Sequence, residues 1–126
     1  MSKDSLNLGV LAEDKAQGFL KANGYKVLLR NYRTKLGEVD IIARDKDTLC
    51  FIEVKARSSD RFGSGLEAVS ALKQKQISKA ALSFLKERGL LDSKARFDVV
   101  SLDSSGTEEK ITLVKNAFEL DPRFTY

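Results

Sequence analysis

The fold is decided by residues 37–55, which read GEVDIIARDKDTLCFIEVK. Two runs rich in valine and isoleucine, residues 37–43 and 49–56, lie on either side of a short polar segment, residues 45–48. Such runs around a polar turn predict a β-hairpin. If the loop is Lys46-Asp47, or all four residues 45–48, Asp40 lies directly opposite Glu53.

Four charged side chains share one face of this hairpin, because side chains alternate between the two faces of a strand. They are Glu38, Asp40, Glu53 and Lys55. The corresponding positions on the other face are aliphatic: Val39, Ile41, Ile52 and Val54. A slip of one residue would bury the charges and expose the aliphatic side chains, so the pattern itself favours this register.

The facing carboxylates of Asp40 and Glu53 predict a cation site, because two close carboxylates repel each other unless a cation intervenes. The chain has no histidine and one cysteine, which excludes a Ser-His-Asp triad, a histidine ligand and a thiolate zinc cage within the chain. Oxygen ligands alone favour Mg²⁺ or Mn²⁺. Lys55 is placed to orient or deprotonate an attacking water, or to neutralise charge in a transition state. Glu13 borders the apolar stripe of a predicted helix and could lean toward the metal.

Each of these residues also has a simpler interpretation. Two acids and a lysine on a hairpin are usually a solvated ion-pair cluster, and composition alone favours that view. The register and the apolar opposite face bring the two interpretations level. Glu13 by itself is more often a helix-surface acid. For Asp98, a polar group at a strand end is favoured over a site residue.

The remainder of the chain predicts two helices and three further strands around the hairpin. The first helix covers about residues 8–20 with Asn7 as a possible N-cap, and a strand follows at residues 25–33. The second helix ends at Gly89 and begins either at a capping box of Ser64 and Glu67 or at Ser70. Late strands are expected at residues 97–102 and 111–115. The fold class is therefore α/β, with a mixed central sheet flanked by helices in the order α-β-β-β-α-β-β.

Length and composition limit the possible classes of protein. The 126 residues suit a single domain, residues 1–126, and 42% hydrophobic residues are typical of a folded chain. No apolar run reaches the roughly 18–20 residues that a membrane helix needs, and the N-terminus lacks the apolar core of a signal peptide. The single cysteine, Cys50, alternates to the apolar face as packing and suggests a cytoplasmic setting. Tyr25, Phe51 and Phe97 are also interpreted as core.

The net charge of +4 suits an anionic partner such as nucleic acid. Lys73, Lys75 and Lys79 form a basic helix face, which is either simply solvated or able to grip a phosphate backbone.

Several stretches of this sequence resemble the YraN family of bacterial endonuclease-like proteins, within the PD-(D/E)xK nuclease superfamily. They are NYR at residues 31–33, GEVDII at residues 37–42, FIEVKAR at residues 51–57, RFDVV at residues 96–100 and KNAF at residues 115–118. The likeness runs from about Leu8 to Phe118. The superfamily's proline before the aspartate is Val39 here, which alters no ligand.

The resemblance implies a restriction-endonuclease-like core that holds Mg²⁺ or Mn²⁺ on Asp40 and Glu53. It also implies Lys55 as the catalytic lysine and Glu13 as a supporting catalytic acid. We expect nucleic acid, most simply DNA, to contact four residues: Arg33, Arg57, Lys73 and Gln76. The predicted function is a metal-dependent nuclease that hydrolyses phosphodiester bonds, in branched or otherwise structured DNA, with a homodimer as a plausible assembly. The alternative is a non-cleaving nucleic-acid-binding or protein-interaction module on the same fold.

Overall fold

The structure, a computed structural model, describes residues 3–57, 69–104 and 108–119, except for the side chains of residues 3–8 and 57. Its elements are α1 (Lys3–Ala22), β1 (Lys26–Arg33), β2 (Glu38–Asp45), β3 (Thr48–Arg57), α2 (Ala71–Glu87), β4 (Ala95–Asp103) and β5 (Lys110–Phe118). The predicted α/β class and the order α-β-β-β-α-β-β are confirmed. Neither described helix is long and apolar enough to span a membrane.

The helix starts differ in part from the prediction. Helix α1 begins at Lys3 rather than after Asn7, because no glycine or proline interrupts the residues before Asn7. Helix α2 begins after Ser70, whose side chain accepts a hydrogen bond from the Lys73 backbone N–H. The second of the two predicted starts is therefore right, and the capping box of Ser64 and Glu67 lies outside the described residues.

The five strands form one mixed sheet in the order β1-β2-β3-β4-β5. Neighbouring strands are antiparallel except for β3 and β4, which are parallel and are connected through α2. The predicted register of the β2–β3 hairpin is confirmed, since the pairs run from Asp45 with Thr48 to Ile41 with Ile52. Lys46 has a φ of 58° in the turn between them.

The sheet separates two hydrophobic clusters, one under each helix. Helix α2 packs Ile77, Ala81 and Phe84 onto a cluster that includes Phe51 and Phe97. On the other face, α1 packs Ala16 and Leu20 onto a second cluster, whose other members include Tyr25, Ile41, Cys50, Ile52 and Val100. The interpretation of Tyr25, Phe51 and Phe97 as core is confirmed. Burial raises the pKa of the Cys50 thiol to about 12, so this packing residue stays protonated.

Asp98 lies fully buried inside β4 and not at a strand end, so that interpretation is wrong. Its carboxylate accepts hydrogen bonds from the Tyr25 hydroxyl at 3.0 Å, from Arg96 Nε at 3.0 Å and from the Asn116 backbone N–H at 2.9 Å. Arg96 also donates to Asp45 at 2.7 Å. Because each oxygen of the buried carboxylate is hydrogen-bonded, Asp98 joins strands β4 and β5 to the start of β1.

We predict that Asp98→Ala lowers the free energy of unfolding by about 3–5 kcal/mol, because the Arg96 guanidinium and the Tyr25 hydroxyl lose a buried partner. Urea denaturation followed by circular dichroism measures this change. Asp92→Ala, at an exposed acid in the turn before β4, is the matched control and should change stability by less than about 0.5 kcal/mol. Equal stability of the two variants would contradict the structural role of Asp98.

Candidate metal centre

The candidate site lies where the β2–β3 ladder ends. The last described pair is Ile41 with Ile52, one step short of the predicted pairing of Asp40 with Glu53. Beyond it, the Asp40 side chain takes over the role of the backbone, and its Oδ2 accepts a hydrogen bond from the Val54 N–H at 2.8 Å. The sheet therefore opens at this point, and the Asp40 carboxylate lies in the opening beside Glu53.

Glu53 carries the least satisfied polar atom of this site. The residue is 7% exposed, and its Oε2 is buried without a hydrogen-bond partner among the described residues. Burial and the Asp40 carboxylate raise the pKa of Glu53 to about 7. A protonated Glu53 is close enough to donate a hydrogen bond to Asp40. In the absence of a cation, the negative charge of one carboxylate therefore disfavours ionisation of the other.

Asp40 is subject to the same opposition between burial and charge. Burial raises the pKa of Asp40, and the carboxylates of Glu13 and Glu38 raise it further. The Val54 N–H and the Lys73 ammonium act in the opposite direction. Buried acids of this kind are costly to ionise, and a divalent cation is one means of offsetting that cost.

Two lysines from different elements lie near Glu53. Lys55 is two residues along β3 on the same face, and its positive charge opposes the rise in the pKa of Glu53. Lys73, in the first turn of α2, places its Nζ 3.7 Å from Glu53 Oε1. The structure thus places Asp40, Glu53 and Lys55 near one another on β2 and β3, and it adds Lys73 from α2.

Glu13 lies near the acidic pair but is held by other residues. Its Oε1 accepts a hydrogen bond from Asn31 Nδ2 at 3.0 Å and lies 3.4 Å from Arg30 Nη2. Asn31 adopts a φ of 56°, in the left-handed region that asparagine tolerates better than most residues. Glu13 is therefore close enough to influence the ionisation of Asp40, while its carboxylate is bound to β1.

The donor set fits a hard divalent cation in part. Asp40 and Glu53 offer carboxylate oxygens, including the buried Glu53 Oε2 without a partner. Within residues 3–57, 69–104 and 108–119, no three acidic or cysteine side chains converge closely enough to form a complete metal cage. Mg²⁺ commonly takes only one or two protein carboxylates and completes its shell with water and phosphate. The residues present therefore fit a magnesium-type site that remains open to a substrate.

A basic cleft of about 330 Å³ adjoins the acidic pair. Its lining residues come from the end of β1, the turn before β2, the first residue of β2 and the first turns of α2. They are Arg33, Thr34, Lys35, Leu36, Gly37, Glu38, Lys73 and Gln76. The Thr34 hydroxyl accepts hydrogen bonds from the N–H groups of Leu36 and Gly37, which fixes the turn. Gly37 packs directly on the α2 backbone, because a Cβ there would lie 2.9 Å from Gln76 Cα and closer still to its carbonyl.

Three of the four residues expected to contact nucleic acid lie in this basic cleft: Arg33, Lys73 and Gln76. Arg33 is ion-paired with Glu38 at 3.1 Å, although its side chain remains largely exposed. The side chain of Arg57 lies outside the described residues. The contacts with nucleic acid remain predictions, and the structure contributes the shared location of three of the residues.

Sequence reasoning missed three features of this site. It placed Lys73 on a basic helix face, either solvated or able to grip a phosphate backbone, and gave it no relation to Glu53, because the contact joins α2 to β3, two elements that lie far apart in the sequence. It gave no role to Asn31 beyond its motif, and none to Lys35. Gly37 directly before the acidic strand was a usable signal, since a glycine there can mark a close approach of two backbones.

Comparison with known proteins places the chain among relatives of similar length. A family model described as "Uncharacterised protein family UPF0102" matches residues 12–102. A UPF0102 protein of Desulforapulum autotrophicum is 46% identical over 121 residues, covering 96% of this chain and 100% of the relative. One from Geobacter metallireducens is 47% identical, covering 95% and 98%, respectively. One from a Sulfurihydrogenibium species is 43% identical, covering 94% and 99%.

We predict that Gly37→Ala destabilises the fold by about 1–3 kcal/mol, because the added methyl group would force α2 away from the turn. Gly18→Ala is the matched control, since a Cβ at this helix position meets no atom within 4 Å. That control should stabilise the protein by about 0.5–1 kcal/mol. Thermal unfolding of both variants tests the prediction, and a Gly37→Ala protein as stable as Gly18→Ala would contradict the close packing.

We predict that Glu53→Gln stabilises the protein in EDTA at pH 8 and gives no such gain at pH 4. A carboxyl whose pKa is raised from 4.5 to about 7 on folding binds more protons in the folded state, so its contribution to stability is lost as pH rises from 4.5 through 7. Above that range the glutamine variant escapes a penalty on the order of 1–3 kcal/mol.

Urea denaturation at the two pH values measures this difference, with Glu109→Gln as a control at an acid paired with Lys15 on the surface. Saturating Mg²⁺ should reverse the order of stability at pH 8, because it stabilises only a protein that binds it. If Glu53→Gln is less stable than the parent at pH 8 in EDTA, the ionised Glu53 carboxylate does not destabilise the folded protein and the prediction is wrong.

Proposed function

We propose that this chain, which belongs to the UPF0102 (YraN) family, is a divalent-metal-dependent nuclease that hydrolyses phosphodiester bonds. The proposal extends to DNA, and to branched or otherwise structured DNA as the preferred substrate. The single observation that carries it is the buried Glu53 Oε2, which has no partner among the described residues and lies beside a second carboxylate and two lysines.

A buried carboxylate with a purely structural role would have hydrogen-bond donors for both of its oxygens. The buried Asp98 carboxylate accepts hydrogen bonds from two side chains and one backbone N–H. Glu53 is nearly as buried, yet one of its oxygens has no donor. Leaving a buried charged group unsatisfied costs stability, and such sites are concentrated where a ligand or a reaction uses them.

Each residue of the candidate site has a chemical task in this proposal. A bound Mg²⁺ or Mn²⁺ would polarise the phosphoryl group and lower the pKa of a water. Asp40 and Glu53 would hold that cation, with the Val54 N–H keeping Asp40 in place. Lys55, on the strand face of Glu53, would orient the attacking water and neutralise charge that develops on the phosphate oxygens. Glu13 would orient its neighbours from α1 through Arg30 and Asn31.

The basic cleft supports nucleic acid as the substrate. Among the described residues that line it, Arg33, Lys35 and Lys73 supply three cations and Glu38 supplies one acid. A phosphate-rich chain that entered this cleft would continue directly to the acidic pair, because Lys73 contacts both regions. The same cleft also favours the second candidate function, a module that binds nucleic acid without cutting it.

We predict that the purified protein cuts DNA only with Mg²⁺ or Mn²⁺ and that Asp40→Asn, Glu53→Gln and Lys55→Ala each lower the rate at least about 100-fold. The physical reason is that each variant removes a ligand or a charge from the place where the phosphate reacts. The assay compares linear duplex, single-stranded, flapped and four-way-junction DNA, together with RNA. The cut products are resolved on denaturing gels.

Lys26→Ala is the matched control, since Lys26 is an exposed lysine at the far end of β1 and should leave the rate within about twofold. Circular dichroism of every variant shows whether the fold is kept. Metal-independent cutting, or full activity in the three site variants, would refute the nuclease proposal. Salt-sensitive binding without cutting on any substrate would establish the non-cleaving module instead.

A further inference from the structure

Lys73 lies between two places where an anion is held or expected: the Glu53 carboxylate and the basic cleft. Its Nζ is 3.7 Å from Glu53 Oε1, and its side chain also lines the basic cleft together with Arg33, Lys35 and Gln76. A positive charge is needed at both places. Beside Glu53 it neutralises a buried carboxylate, and in the basic cleft, in the proposed function, it neutralises a phosphate. One ammonium group cannot neutralise both fully at the same time.

The geometry of the Lys73–Glu53 ion pair allows the lysine side chain to leave it easily. A separation of 3.7 Å is longer than a hydrogen bond, so the interaction is electrostatic and lacks directional support. The Lys73 backbone N–H is fixed by the Ser70 side chain at 3.1 Å, whereas the lysine stem has four flexible carbons. The side chain is also 33% exposed, so it has room to turn toward solvent and the cleft.

We propose that Lys73 is the counter-cation of Glu53 in the metal-free protein and moves to a phosphate in the basic cleft when a divalent cation occupies the site. This inference rests on the proposed metal site at Asp40 and Glu53. An ammonium and a divalent cation beside the same carboxylate repel each other, so metal binding drives the lysine away. The lysine then adds one phosphate contact to the protein's grip on nucleic acid.

Lys73 thereby couples the two ligands. Because coupling between binding sites is reciprocal, metal tightens nucleic-acid binding and nucleic acid tightens metal binding. In the absence of nucleic acid, Lys73 acts instead as a competitor of the metal. The protein therefore retains a cation poorly until a phosphate chain lies in the cleft, and this makes Lys73 a positioning residue with an effect on metal occupancy.

The first test measures Mn²⁺ binding without nucleic acid, by electron paramagnetic resonance of the free ion. Lys73→Met keeps the apolar stem and removes the charge. We therefore expect this variant to bind Mn²⁺ at least about fivefold more tightly than the parent does. Lys75→Met is the matched control, because it makes the same charge change on an exposed position of the same helix turn. That control should shift the affinity by less than about twofold, since exposed charges are screened by solvent and salt.

The second test measures how a labelled four-way DNA junction binds at increasing salt, in EDTA and in Ca²⁺ as a cation that permits binding. In the parent and in Lys75→Met, Ca²⁺ should steepen the slope of log affinity against log salt. In Lys73→Met, the steepening should be smaller by about 0.9, the value for one phosphate contact on duplex DNA. Any direct effect of Ca²⁺ on the phosphates is common to all three proteins and cancels in this difference.

The outcomes separate this inference from the proposed function. Tighter Mn²⁺ binding by Lys73→Met together with the smaller salt response supports the exchange of partners. Unchanged or weaker Mn²⁺ binding by Lys73→Met, with Asp40→Asn unable to bind, overturns the exchange and keeps the metal site. Mn²⁺ binding that is absent from both the parent and Lys73→Met, or identical in the parent and Asp40→Asn, overturns the metal site and the exchange with it.

Discussion

The hydrogen bond from the Val54 N–H to the Asp40 carboxylate is the interaction on which the site depends. It replaces the next rung of the β2–β3 ladder with a side chain, so the two strands stop pairing just where two acids face the interior. A backbone carbonyl at this position would have closed the sheet. The carboxylate keeps the N–H satisfied while leaving its second oxygen for a cation, which is why the opening is stable.

Asp98 and Glu53 are both buried carboxylates, but their surroundings differ. Asp98 accepts hydrogen bonds from Tyr25, just before β1, and from residues of β4 and β5, and it serves to hold the sheet together. Glu53 lies beside another acid, and its pKa is raised by burial and by the Asp40 carboxylate. The raised pKa means that the ionised form of Glu53 lowers the stability of the folded protein. A protein can tolerate one such strained group because the saturated network and the two hydrophobic clusters stabilise the same sheet.

The position of α2 links the acidic pair to the basic cleft. Gly37 allows the turn before β2 to touch the helix backbone at Gln76, and the Ser70 cap fixes the first turn of the helix. These two contacts bring Lys73 against Glu53 and into the cleft at once. The electrostatics of the site are therefore set by how a helix is seated on the sheet, as well as by the hairpin that carries the acids.

The sequence by itself determined what is local. Alternation of polar and aliphatic residues fixed the hairpin register, and with it the shared face of Asp40, Glu53 and Lys55, because a slip would bury charge. It also predicted the order of elements, since each strand and helix has its own periodicity. Only the tertiary structure decided the partners of these residues. The contacts of Lys73 with Glu53, Glu13 with Asn31, and Asp98 with Tyr25 join elements far apart in the chain, and their geometry depends on packing that no short-range pattern encodes.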